Sequence, residues 1–441
     1  MAAQILPMPG IKAPSTPIGH FVRLGETGHR QLSDLHAQGR FSPKRVVVDA
    51  SRFHHQKELI GALRSAGTQI VLDTKAAELS AASKFSGFAQ GAPWASAAKD
   101  KPLSPDHFRH DAPGDVIGQI ARFAVQNRVH AVLSPSHFLS KGSATDWFRI
   151  DLRACCALRE ALDRAGGRHI GIDYLVLIPH VALDDLAERG QILASVKNLP
   201  FDNLWIRASG FGADSGPLTT RRYINSLSRM NNLGKPIVAD YLGGLVSLAA
   251  EAFGSISGFA EGVGERERFD AREWHKSPKP RDDDDVFGHA RRVTIAGFGR
   301  TVTCAELAKL CEAKGGRRLV ACTNRSCCPH GLSDVLVNPK RHSLNYRSIQ
   351  IRSLEQTPDL SRPQHFLDGE MTRADRLSRQ IKELKTGDDL LTKRLTDHSH
   401  RMEKLRATLE HFQETRGANH PRALPIVERG NVAEHQGADS A

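Results

Sequence analysis

The feature that most constrains this chain is an alternation of short β-branched runs with helical segments. Arg45–Asp49 and Gln69–Asp73 are brief apolar runs, each closed by an aspartate. Similar runs lie at His130–Ser134, Tyr174–Ile178, Asn203–Arg207, Pro236–Asp240, Ser255–Ala260 and Arg317–Cys322. Most are followed by an amphipathic stretch, such as 146–165 stopped by Gly166-Gly167. Short apolar strands alternating with helices pair in parallel through right-handed crossovers. Eight such units close a barrel. An open doubly wound sheet would carry a Gly-rich phosphate turn after its first strand. Asp49-Ala50-Ser51-Arg52-Phe53 is not one. The expected fold is therefore α/β: a (β/α)8 TIM-type barrel with a zinc-binding insertion and a C-terminal helical extension.

The remaining segments are assigned around that barrel. Residues 1–40 read as an N-terminal arm and 41–330 as the barrel. Residues 265–303 form a charged and hairpin insertion that turns at Gly297–Gly299. Its acidic run, Asp282–Asp285, reads as a solvated loop tip. Residues 322–366 are a basic, zinc-binding segment, and 367–416 a helical extension. Leu377, Ile381, Leu384, Leu391 and Leu395 share one face of that extension. It can pack on the barrel or pair with a second copy, so a homodimer is an open expectation. Residues 417–441 are polar and expected to be disordered.

Hydrophobic residues make up 40% and charged residues 25% of the 441 positions, which excludes wholesale disorder and a rod. No apolar stretch reaches the roughly 18 residues that span a bilayer. The first 16 residues lack a signal-peptide pattern. A cytoplasmic protein without membrane contact is expected. The seven cysteines are odd in number, so a disulfide framework is not. Cys155, Cys156, Cys304 and Cys311 are expected to be buried by helices.

Barrels of this kind carry their working residues at the carboxyl ends of the strands. Reading those ends gives Asp49, Asp73, Ser134 with His137, His180, Arg207, Asp240 and Glu261. The loops that follow include Ser209, Gly210 and Gly212, and Gly243 with Gly244. Neighbouring carboxylates can act as acid, base or nucleophile, with burial and repulsion separating their pKa values. Gly-rich loops let a base or a phosphate approach the backbone. Each aspartate could instead cap the next helix, although three runs ending alike weaken that reading. Asp173, at the start of its strand, reads as structural.

Cys322, Cys327 and Cys328 are followed by His330 and His342. Thiolates and imidazoles so grouped suit tetrahedral Zn2+. Cys322, Cys327, Cys328 and His342 are the preferred set, with His330 as the alternative. Four protein ligands leave no open position, so the ion would be structural. The flanking stretch 313–352 holds eight Lys/Arg and one acid, Asp334, within a chain of net charge +12. A basic lobe beside a barrel mouth suits a phosphate backbone.

Together, Gly243-Gly244-Leu245, the loop Ser209–Gly212 and the Cys322/Cys327/Cys328/His342 cluster resemble the tRNA-guanine transglycosylase superfamily. The resemblance spans roughly 40–360 and concerns architecture and order more than sequence. It implies a barrel with structural zinc, a C-terminal part that contacts nucleic acid, and glycosidic base exchange or cleavage. The family's nucleophile motif has no counterpart here, so Asp240 takes that role by position, with Asp73 and Asp49 beside it. Arg207, Ser209, Gly210, Gly212, Gly243, Gly244 and Glu261 would bind the flipped base and its phosphate. The partner would be tRNA or DNA. The alternative is an inactive, zinc-stapled barrel that serves as a nucleic-acid-binding or assembly module. A small-molecule barrel enzyme is a third reading.

Overall fold

Alternate residues of each apolar run go to opposite faces. Phe21, Val47, Val71, Leu133, Leu175, Trp205, Val238 and Ala260 form one inner cluster. Val46, Val48, Ile70, Leu72, Ile206 and Ala239 join the larger core beneath the helices. Burial on both faces is why these strands read as continuous apolar runs. The computed structural model describes residues 14–25, 29–81, 89–98, 101–109, 114–263, 267–275, 292–417 and 420–429. Eight strands close the barrel: β1 (Gly19–Arg23), β2 (Arg45–Asp49), β3 (Gln69–Asp73), β4 (Ala131–Leu133), β5 (Gly171–Pro179), β6 (Asn203–Ser209), β7 (Ile237–Asp240) and β8 (Gly258–Gly262). All neighbours pair in parallel, and β1 closes on β8 with Gly19 opposite Gly258. The protein is a (β/α)8 barrel, as expected.

The membership of the eight differs from expectation. β1 lies inside the segment read as an arm, and 317–322 is not a strand. Gly316–Val320 is instead a short helix, entered from Gly315 at φ +83°. A short apolar run carries no periodicity that separates a strand from a buried helical turn. The barrel strands therefore occupy 19–262 rather than 41–330.

The tail is also corrected. Ile426 joins the inner cluster at the amino-terminal end of the barrel. Arg45 donates to Glu428 at 2.6 Å, and Gln69 to the Arg429 carbonyl at 2.9 Å. Arg429 donates to Asp173 at 2.5 Å and to Asp202 at 3.1 Å. Residues 420–429 thus close the barrel floor, whereas 430–441 lie outside the described residues. Asp173 also receives the Asn203 amide and the Trp205 indole, which makes it structural as expected.

A second lobe begins with the hairpin Arg292–Thr294 and Thr301–Thr303. Thr303 and Glu306 form a capping box on the helix Cys304–Glu312. Val293, Phe298, Val302, Leu310, Val320 and the three clustered cysteines make its core, joined by Ile381, Leu391 and Leu395. The helix Asp389–Thr415 continues from there onto the barrel, where Met402, Leu405, Leu409 and Phe412 are buried. The apolar face of the extension is thus covered within the chain. The acidic run Asp282–Asp285 lies outside the described residues. Of the four remaining cysteines only Cys155 is buried; Cys156 and Cys304 are exposed. Among the described residues no helix is long and apolar enough to cross a membrane.

Candidate functional site

The parallel register carries the last residues of β1, β2, β3, β6 and β7 to one end of the barrel. Arg23 ends β1 and reaches all three expected aspartates. It grips Asp240 through Nε and Nη2 at 2.7 and 2.8 Å, and its Nη1 lies 3.0 Å from Asp73 and 3.4 Å from Asp49. Arg207 donates to Asp240 at 2.8 Å and to Asp73 at 2.7 Å. Lys75 pairs with Asp49 at 3.3 Å and with Glu78 at 2.8 Å. Tyr241, at φ +54°, slides its ring beneath Arg23, 4.1 Å from the guanidinium carbon.

This mouth is a buried ion-pair network, in which Arg207 Nη1 is left without a hydrogen bond, 3.9 Å from Glu78. Burial pushes the Asp73 carboxyl up, but Arg207, Lys75 and Arg23 outweigh it and hold it well below the usual carboxylate range. Burial likewise opposes the charge of Arg23, and Asp240, Tyr241 and Asp73 more than restore it. Both Asp240 oxygens accept from guanidinium groups, and Oδ1 also accepts from the Tyr241 backbone N–H at 3.0 Å. Asp49, Asp73, Asp240 and Arg207 are brought together as expected, but as one another's partners.

The expected binding loops are also engaged. Ser209 Oγ contacts Asp270 at 3.3 Å and accepts from the Ala271 N–H at 2.9 Å. Phe211–Gly212 pairs antiparallel with Arg268–Phe269, and the Gly210 N–H donates to the Phe269 carbonyl. A Cβ at Gly243 would meet the Glu267 and Glu261 carboxylates at 2.3 and 2.6 Å, so a side chain there would displace them. Gly244, at φ +64°, faces Glu267 as well. Glu261 contacts Arg347 at 2.8 Å and His20 at 3.1 Å. Burial and then the neighbouring Glu261 push Glu267 up to about 8, against the pull of Arg347.

Beside this mouth opens a cleft of about 650 Å³ between Ala213–Asp214 and Glu267–Arg268 on one side and the hairpin and the helix Asp389–Thr415 on the other. Arg268, Arg292, Arg300, Arg394 and Arg401 line it against Asp214, Asp397 and Glu267. Arg300 and Arg394 share Glu306, at 3.5 and 3.2 Å. Arg401 donates to the backbone carbonyls of Ala213 and Ser215, and the one carboxylate that favours its charge, Asp214, is already paired with Arg268 at 3.0 Å. Burial, opposed by Asp214 and reinforced by Arg300, lowers Arg401 to about 10. Burial and then Arg401 lower His398 to about 3. The cleft wall therefore carries uncompensated positive charge.

Arg23, Tyr241, Glu267 and these arginines escaped the sequence reading. Arg23 lay in the supposed arm, and the others are scattered over elements that meet only in the fold. Of the expected basic segment 313–352, Arg347 turns inward to Glu261, Arg341 pairs with Asp334 at 3.3 Å, and Arg317, Arg318 and Arg325 are exposed.

The ligand atoms of Cys322, Cys327, Cys328 and His342 lie within 4.8 Å of one another, all buried. His330 is exposed and outside the group. The Asn324 carbonyl accepts the N–H groups of both Cys327 and Cys328, a tight turn that points adjacent thiols inward. Sulfurs bound to one tetrahedral Zn2+ at about 2.3 Å stand about 3.8 Å apart. The Cys327 and Cys328 Sγ atoms are 3.8 Å apart, and His342 Nδ1 lies 3.4 and 3.3 Å from them. This buried group could hold a metal ion.

No protein-family model matches the chain, and no curated protein matches it. Among solved structures it is similar to the endo-1,4-beta-xylanase XylE of Penicillium canescens, at 11% identity and a TM-score of 0.38. That match covers 56% of this chain and 82% of the xylanase. It is similar also to KGPDC from Streptococcus mutans, at 13% identity and a TM-score of 0.32, over 59% of this chain and 96% of that one. The assignment of the barrel rests on its own strand pairing.

Proposed function

We propose that this chain is a zinc-stapled barrel that binds nucleic acid in the arginine-lined cleft. The observation that carries the reading is the set of five arginines around one cleft, with too few carboxylates to neutralise them. Cations that oppose one another's charge in a partly buried wall are relieved by a polyanion, which also releases its condensed counterions. Guanidinium groups suit phosphate through their planar fork. Cys322, Cys327, Cys328 and His342 would hold Zn2+, whose role is to cross-link the lobe that forms one wall of the cleft. The test is binding of fluorescent single-stranded oligonucleotides to the full chain across a salt series. Affinity falling linearly in log–log form supports the reading, and binding insensitive to salt overturns it.

A second reading, glycosidic base exchange or cleavage as in tRNA-guanine transglycosylases, is favoured by one observation. Glu267 keeps its proton near neutrality and lines the cleft beside Glu261. It would protonate a leaving base. The expected nucleophile, Asp240, would first have to leave Arg23 and Arg207. Release of free base from a bound oligonucleotide, abolished in Glu267→Gln, would select this reading over binding alone.

A further inference from the structure

We propose that Ser80, His137 and Asp151 form a second centre, a relay that transfers acyl groups from esters to water. Ser80 Oγ lies 3.0 Å from His137 Nε2, and His137 Nδ1 lies 2.6 Å from Asp151 Oδ1. The three residues come from separate segments. Ser80 follows the short helix Ala76–Leu79 after β3, His137 lies in the loop after β4, and Asp151 sits on the helix Asp146–Arg164.

The imidazole is held on every side. Its ring stacks on Trp147 at 3.7 Å and meets the edge of Phe108 at 4.7 Å. The other Asp151 oxygen accepts from the His137 backbone N–H at 3.0 Å. A carboxylate facing Nδ1 fixes that nitrogen as the protonated one and leaves Nε2 to accept from Ser80. His137 and Asp151 are buried, whereas Ser80 is partly exposed. A polar tie with only an architectural duty has no need of a solvent-reaching hydroxyl. The chain neighbours of the pair, Ala81 and Phe138, belong to an apolar cluster with Leu177, Phe269 and Trp274.

In the forward step Ser80 Oγ attacks the ester carbonyl carbon, and its proton passes to His137 Nε2. The carbon–alkoxy bond breaks, and the departing alcohol takes that proton. Water then attacks the acyl carbon and gives its proton to Nε2. Ser80 Oγ leaves with that proton, so one ester and one water yield one acid and one alcohol. Asp151 positions His137 and touches no substrate.

The test uses the full chain with a fluorophosphonate probe and with para-nitrophenyl butyrate. In the folded wild-type protein, mass spectrometry should place the phosphonyl adduct on Ser80. Ser80→Ala should lose the adduct, and His137→Gln should slow butyrate hydrolysis at least about a hundredfold. Asp151→Asn should lower kcat with KM unchanged, a split that a merely structural role would not produce. Melting curves accompany each variant, and the wild-type arm depends on none of them. A folded wild-type chain with no adduct on Ser80, or equal labelling and turnover in Ser80→Ala, overturns the proposal.

Discussion

Asp240, expected by its position to be a nucleophile, sits at the centre of the ion-pair network of the barrel mouth. It is buried and bound by two guanidinium groups that are themselves buried. Asp240→Asn would leave Arg23 and Arg207 with one full negative charge fewer between them. Breaking a buried ion pair from one side costs about 3–5 kcal/mol. Urea unfolding of the variant should show a loss of that order, and an unchanged midpoint would refute the network's role. Glu267 makes a different prediction. Its folded pKa, about 8, stands above the ordinary value of 4.5, so the native state holds a proton that the unfolded chain releases. The stability it contributes is complete below about pH 4.5 and is lost as pH rises towards 8. Glu267→Gln should therefore flatten the decline of melting temperature between pH 5 and 8, by comparison with the wild type.

At the scale of elements, β2, β3, β5, β6 and β7 were legible because burial on both faces gives each a run of three or more consecutive apolar residues. β1 was not. Gly19 and His20 dilute its apolar character, and its place is set by partners more than two hundred residues away on β8. The Cys3His cluster was legible from the crowding of three thiols and two imidazoles within a short stretch of sequence. Its histidine is set by the helix Pro339–Glu355, which buries His342 beside the thiols and leaves His330 outside the group. One Zn2+ per chain is the expected content. Cys327→Ser should remove it and loosen the second lobe, read as new protease sites within 304–355 while the barrel stays intact. The floor segment was hidden for the opposite reason. Residues 420–429 are broken up by two prolines and four ionisable residues, and of them Ile426 enters the inner cluster. Deleting everything after Gly417 should leave Arg45 and Asp173 without the partners that Glu428 and Arg429 supply. The expected result is a loss of about 2–5 kcal/mol, the range for emptying a buried apolar site of this size. Unfolding of the truncated chain at the wild-type midpoint would show that the floor contributes nothing.

At the scale of the whole molecule, charge was legible in amount but not in position. The sequence concentrates its basic surplus in 313–352, yet the fold turns Arg347 inward and pairs Arg341. It assembles a different positive surface from Arg268 on the barrel, Arg292 and Arg300 on the hairpin, and Arg394 and Arg401 on the last long helix. No window of the sequence contains that set, because three structural layers must meet to make it. Two surfaces are therefore candidates for the proposed polyanion, and salt dependence separates them. Each phosphate contact on a single strand adds about 0.7 to the slope of log affinity against log salt. Replacing Arg300 and Arg394 together by alanine should lower that slope by about 1.4 if the cleft is the site. Replacing the exposed Arg317 and Arg318 instead should leave it nearly unchanged. The reverse pattern would move the interface out of the cleft and onto the zinc lobe, and would detach Glu267 from the bound strand.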